Sequence, residues 1–116
     1  MTDERDRVYL EHILECTTLI QDYTRNGKAE FMESSLVRDA VLRRLQTMAE
    51  STQRLSETLK AQAPGVDWRA LAGFRNVLVH DYLGGIDFER VWDAVELYLP
   101  GLEMAVRELI EAEGEL

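Results

Sequence analysis

The sequence predicts an all-α fold, an antiparallel bundle of four or five helices, and three observations carry that prediction. Apolar residues recur at three- and four-residue spacing in segment after segment. The segments are joined by short links marked by Gly, Pro, Asn and Ser, and short links make successive helices antiparallel. No segment alternates apolar and polar residues as a half-buried strand does.

The first helix is expected over about residues 3–24, where Leu10, Ile13, Leu14, Thr17 and Ile20 form one buried stripe before a turn at Asn26-Gly27. A poorly periodic connection follows. Ser34 or Ser35 can then cap a second, long helix of about 35–62 through its hydroxyl. Its stripe is Val37, Ala40, Val41, Leu45, Met48, Thr52, Leu55 and Leu59. Pro64-Gly65 stops it, and Val66-Asp67-Trp68 reads as a new start, with Asp67 accepting from first-turn amides and Val66 placed as a hydrophobic staple. Leu83-Gly84-Gly85 ends that third main helix, because glycine reaches left-handed backbone cheaply. Asp87 can cap the next one, lined by Val91, Trp92, Val95 and Leu99. Pro100-Gly101 is expected to kink or interrupt it before Leu102, Val106, Leu109 and Ile110 resume the period.

With 116 residues, 46% of them hydrophobic and 30% charged, the chain has the length and composition of one globular domain spanning 1–116. It begins MTDERDRVYL, charged from the third residue, and no apolar run approaches the roughly 18 residues a membrane span requires. A cytoplasmic location without membrane association is therefore expected. Cys16 is the single cysteine, so an internal disulfide and a cysteine metal cluster are excluded, and its apolar surroundings suggest a buried, inert thiol. His12 and His80 are the two histidines, without HExxH or carboxylate spacing, and the sequence contains neither a glycine-rich phosphate loop nor a nucleophile elbow. No metal or cofactor is expected, and His12 reads as an exposed residue or a neighbour of the core.

A net charge of −9 argues against nonspecific nucleic-acid binding, which draws its affinity from many Lys and Arg on phosphates. Any such site must be local. Residues 103–116 hold five Glu against Arg107, a solvated acidic end, whereas 36–60 hold four Arg and Lys60 against three acids.

The stretch RNVLVHDY, Arg75 to Tyr82, concentrates unusual chemistry. At about 100° per residue from Arg75, Asn76 falls near 100°, Val79 near 40°, His80 near 140° and Tyr82 near 340°, while Leu71, Phe74, Val77 and Leu78 occupy about 200° to 320°. One side is core; the other is a functional arc. Asp81 lands at about 240°, among the apolar positions, so regular helix is expected to end at about His80. Arg75 and His80 are roughly 7.5 Å apart along the axis, close enough for a leaning Arg and the imidazole to meet at one phosphate. Cleaving RNA without a metal needs a proton taken from the 2′-hydroxyl or given to the leaving oxygen, and His does either near neutrality. It also needs fixed positive charge on the phosphorane, which the guanidinium fork supplies. Asn76 is placed to orient the ring or bind substrate, and Tyr82 offers a phenol to stack, donate or be modified. Arg and His at this spacing are also what a surface arginine and a helix-end histidine look like.

The block VDWRALAGFRNVLVHDY, followed by IDFERVW and the Leu99-Pro100 pair, resembles the HEPN superfamily and specifically the HepT-like toxins, whose mark is Arg, four residues, His, one residue, Tyr. AVLRRLQTMAES resembles the family's second-helix pattern at Ala40, Val41, Arg43, Leu45 and Glu50, departing from it at Gln46 and Ala49, where the family usually has Glu and Gly. The likeness covers nearly the whole chain. It implies a dimeric, metal-independent endoribonuclease, the toxin of a type VII toxin–antitoxin pair. Arg75 and His80 would be its catalytic pair and Tyr82 the site of AMPylation by a cognate minimal nucleotidyltransferase. Homodimerisation also follows from charge: a two-fold axis near the motif helix would gather two copies of a thin cationic site on an acidic protein. Arg43 and Arg54, about three turns apart with Glu50 between them, either extend a basic wall toward that cleft or form an exposed, salt-bridged helix face. The alternative to catalysis is a binding module whose Arg75, Asn76 and His80 arc holds a nucleotide or docks the partner.

Overall fold

The computed structural model describes residues 4–80 and 85–114, with side chains for 4–74 and 85–112. Among the described residues there are six α-helices and no strand: α1 Glu4–Tyr23, α2 Lys28–Glu33, α3 Ser35–Arg54, α4 Glu57–Ala61, α5 Trp68–His80 and α6 Phe88–Gly114. The all-α bundle expected from the sequence is thus present, with six helices among the described residues where four or five were anticipated, two of them short. The core forms where α1 packs on α3 and α6, and α5 packs on α3.

The anticipated stripes supply that core. Leu10, Ile13 and Ile20 of α1, Val41, Leu45 and Met48 of α3, and Leu99, Leu102 and Val106 of α6 are all buried in one cluster. Two threonines sit in the stripes without leaving a hydroxyl unpaired, because Thr17 Oγ1 donates to Leu14 O at 2.9 Å and Thr52 Oγ1 donates to Ala49 O at 2.7 Å. Cys16 is fully buried, as expected, and burial pushes its thiol above the ordinary range despite a hydrogen bond with Thr47 and the nearby Arg44 charge. His12, half-buried at the α1–α3 seam, places Nδ1 2.6 Å from Ser51 Oγ and Nε2 3.6 Å from Cys16 Sγ, so it is a neighbour of the core.

Three features depart from the sequence expectations. The poorly periodic connection contains α2, which follows Gly27 in left-handed backbone (φ 94°) and buries Phe31 completely. Phe31 packs on Phe88 and Trp92 of α6, with ring centroids 6.3 and 5.3 Å away. This contact explains a one-and-a-half-turn helix too short to be stable alone. The second departure is at residues 55 and 56: the helix anticipated over 35–62 is broken there, Leu55 and Ser56 being extended (ψ 144° and 151°). Ser56 caps α4 by accepting from Leu59 N at 3.2 Å, and Asp6, fifty positions earlier, accepts from Ser56 N at 2.8 Å and from Ser56 Oγ at 2.7 Å. The third concerns Pro100, where a kink or an interruption was expected and the interruption does not occur: α6 runs through it for 27 residues, about 40 Å. Proline there deletes one backbone hydrogen bond, but Leu99 and Leu102 are each 1% exposed on either side, so core packing holds both halves of the helix in place.

Asp6 is itself 4% exposed, so its carboxylate is committed to the break. Asp6→Ala is expected to destabilise the fold by about 1–3 kcal/mol, the cost of stranding a buried backbone donor, and Asp6→Asn by less, since one oxygen still accepts. Urea unfolding midpoints of the two variants check this; unchanged midpoints would show the clamp to be incidental.

Candidate active site

Local chemistry positions the motif helix α5 at its start. Asp67 Oδ1 accepts from Ala70 N at 2.9 Å, the cap anticipated from sequence. Trp68 donates its indole N–H toward Lys60 O and Ala63 O, both at 3.2 Å, tying the first turn of α5 to the link that precedes it. Val66 packs half-buried against the core, consistent with its expected place before the helix. Along the helix, Leu71 is buried, Phe74 meets the Tyr98 ring of α6 edge-on at 5.7 Å, and Gln53 of α3 donates to Ala72 O at 3.4 Å. Beyond it, Gly85 is left-handed (φ 88°), and Asp87 caps α6 by accepting from Arg90 N at 3.3 Å.

Helix α5 is described as far as His80; the expectation that it ends there, drawn from the position of Asp81, falls on residues outside the described ones. Arg75, Asn76 and His80 occupy its last two described turns in regular register, with Arg75 and His80 roughly 7.5 Å apart along the axis. Their side chains, and the whole of Tyr82, Asp81, Leu83 and Gly84, lie outside the described residues. Arg43 and Glu50 are both exposed on α3, the helix against which α5 packs, and they are seven residues apart, about two turns, on a common face. Arg54 is exposed on the same helix. Ala49, where the resembled pattern has glycine, is fully buried, and Gln46 is half-buried.

Sequence reasoning passed over a cavity beside the motif. It occupies about 400 Å³ between α5 and the first half of α6, bounded by Ala70, Gly73 and Phe74 on one side and Arg90, Asp93 and Tyr98 on the other. Gly73 opens it, since a Cβ built there meets nothing within 4 Å. Apart from the glycine, no sequence signal foretells it, because its far wall is supplied by another helix. Among the described residues no group of three His, Cys, Asp or Glu is arranged to hold a metal ion, and no helix is long and apolar enough to cross a membrane.

The described helices define an all-α bundle of the class expected from the sequence, and comparison with known proteins supplies the family. Residues 13–109 match the family described as "Ribonuclease HepT-like". The chain belongs to this HepT-like ribonuclease family. It is 31% identical over 108 residues to "Putative RNase TTE0752" of Caldanaerobacter subterraneus subsp. tengcongensis, covering 92% of this chain and 96% of that protein. It is 32% identical over 96 residues to "Probable ribonuclease HepT" of Thermococcus cleftensis, covering 82% and 86%. A longer relative, "Gamma-glutamylcyclotransferase and putative RNase MJ0434" of Methanocaldococcus jannaschii, is 29% identical over 106 residues, which is 90% of this chain but 47% of that protein. No solved structure matches the chain.

Proposed function

We propose that this protein is the toxin of a type VII toxin–antitoxin pair: a homodimeric, metal-independent endoribonuclease of the cytoplasm that a cognate minimal nucleotidyltransferase silences by AMPylating Tyr82. The observation that carries this reading is the placement of Arg75 and His80 in regular helical register on the N-capped helix α5, within a chain matched to a ribonuclease family over residues 13–109.

The chemistry follows from those two groups. The ribose 2′-oxygen attacks the adjacent phosphorus, the bond from phosphorus to the 5′-oxygen breaks, and the products end in a cyclic phosphate and a free 5′-hydroxyl. One proton leaves the 2′-oxygen and one reaches the 5′-oxygen, and the His80 imidazole serves in either transfer. Arg75 neutralises the charge that builds on the nonbridging oxygens. Asn76 orients the ring or the substrate, and Arg43 and Glu50 form part of the wall contributed by α3. In the silencing reaction the Tyr82 phenolic oxygen attacks the α-phosphorus of ATP and pyrophosphate leaves. The new phosphodiester puts a negative charge and a purine beside Arg75, repelling RNA and filling its place.

The test is RNA cleavage by the purified protein in EDTA, paired with mass spectrometry of the chain co-expressed with the neighbouring nucleotidyltransferase. Cleavage that disappears as AMP is added to Tyr82 is the expected result. A protein that cuts no RNA and arrests no growth overturns the nuclease reading, and tight partner binding without AMP addition would identify a docking module.

A further inference from the structure

We propose that Arg69 and Arg90 flank a second RNA subsite, in which Arg69 holds a phosphate two or three nucleotides from the scissile one and an unstacked base enters the cavity over Gly73. This rests on the nuclease reading of the motif and assigns the path of the strand across the protein.

Arg69 lies six residues before Arg75, which puts it at about 120° on the same wheel, between Asn76 near 100° and His80 near 140°. The three share one stripe of α5. Arg69 is exposed, and its position is roughly 10.5 Å below Asn76 along the axis, about three phosphate steps at the roughly 3.4 Å spacing of a stacked strand and fewer in an extended one. Gly73 falls near 160°, at the boundary between that stripe and the cavity, so nothing protrudes between Arg69 and Asn76 on this side. A sugar-phosphate backbone can therefore lie close to the helix there, as it cannot over a larger side chain.

The cavity offers what a splayed base requires. Phe74 and Tyr98 present aromatic surface, and Arg90 brings a planar cation to the opposite wall. Among the described residues neither Arg69 nor Arg90 pairs with a carboxylate. Two acids share the cavity wall: Asp87 is held at the first turn of α6, where its carboxylate accepts from Arg90 N, and Asp93 is exposed on the next turn of that helix. On a protein of net charge −9, Arg90 on the cavity wall and Arg69 on the adjoining stripe of α5 form a local cationic exception, and the aromatic surface of Phe74 and Tyr98 beside them suits an unstacked base of a single strand.

The experiment measures binding of a short fluorescent 2′-O-methyl oligouridylate, which lacks the attacking hydroxyl, to the full chain by anisotropy across a salt series. Arg69→Ala is expected to weaken binding about 3- to 10-fold and to lower the slope of log affinity against log salt by about 0.7, the single-strand value per phosphate, and Arg90→Ala, which removes a planar cation from the base, to weaken binding by a similar factor with little change in slope. Arg69→Lys should keep the slope. Gly73→Phe, whose ring fills the trough without a clash at Cβ, should keep its circular dichroism and lose the preference of the wild type for the oligonucleotide over an abasic ribose-phosphate chain of equal length. A slope unchanged by Arg69→Ala or an affinity unchanged by Arg90→Ala overturns the proposal, as does a shift in sedimentation coefficient without a change in slope, which would make a second copy of the chain the occupant of the cavity. Cleavage by the wild type is read separately: a protein that cuts RNA with Arg69 and Arg90 dispensable keeps the nuclease reading and loses the subsite, and arginine-dependent binding without cleavage does the reverse.

Discussion

His80→Ala is expected to slow RNA cleavage by about 10²- to 10⁴-fold, the range lost when a positioned proton-transfer group is removed. Arg75→Ala should cost about 10²- to 10³-fold through loss of charge stabilisation at the phosphorane. Because the two groups act on one transition state, the double substitution should cost little more than the worse single one. Thermal unfolding separates chemistry from folding. Among the described residues, α5 meets the core through buried Leu71 and partly buried Phe74, and its start is held by Asp67 and Trp68, so replacing two residues of the functional arc leaves those supports in place. Arg75→Lys should recover only part of the activity, since an ammonium keeps the charge but not the planar fork. A His80→Ala protein that cleaves RNA at the wild-type rate would remove the imidazole from the mechanism.

Phe31→Ala should be among the most destabilising single changes in the molecule, at about 3–5 kcal/mol, because it removes a fully buried aromatic ring and leaves a cavity. That is a large share of the roughly 5–15 kcal/mol that holds a domain folded. The effect should also be directional. Phe31 contacts Phe88 and Trp92 at the start of α6, and Arg38 closes the other side, donating to Phe31 O at 3.4 Å and lying 4.6 Å over the Phe88 ring. Losing Phe31 therefore frees the first turn of α6, which begins at Phe88, eight residues after His80. Urea denaturation gives the size of the loss, and hydrogen exchange of the Phe88 to Trp92 amides gives its location. A loss below about 1 kcal/mol would mean that the α2 anchor can collapse around the deletion.

The parts of this protein that were legible in its sequence are those decided within a few residues of chain. Ser34, Asp67 and Asp87 cap their helices because a side-chain oxygen reaches an amide three positions on, and nothing distant is needed. The same holds for the core stripes and for Arg75, Asn76, His80 and Tyr82, whose types and spacing stand in the sequence as a motif. Arg69 was readable as a member of the Asn76 and His80 stripe, but only its exposure and the open space at Gly73 distinguish it from an ordinary surface charge.

Contacts between distant segments decided the rest. The break at Leu55-Ser56 depends on a carboxylate fifty residues away, and α2 on an aromatic cluster whose other members belong to α6. Pro100 is absorbed into α6 because leucines on either side are buried. The cavity exists because Arg90 and Tyr98 face Gly73 across a helix pair. Helix periodicity and capping are short-range and leave a local trace, whereas a buried hydrogen bond, a filled core position and a shared wall take their free energy from the partner, and the partner is supplied only by the folded chain.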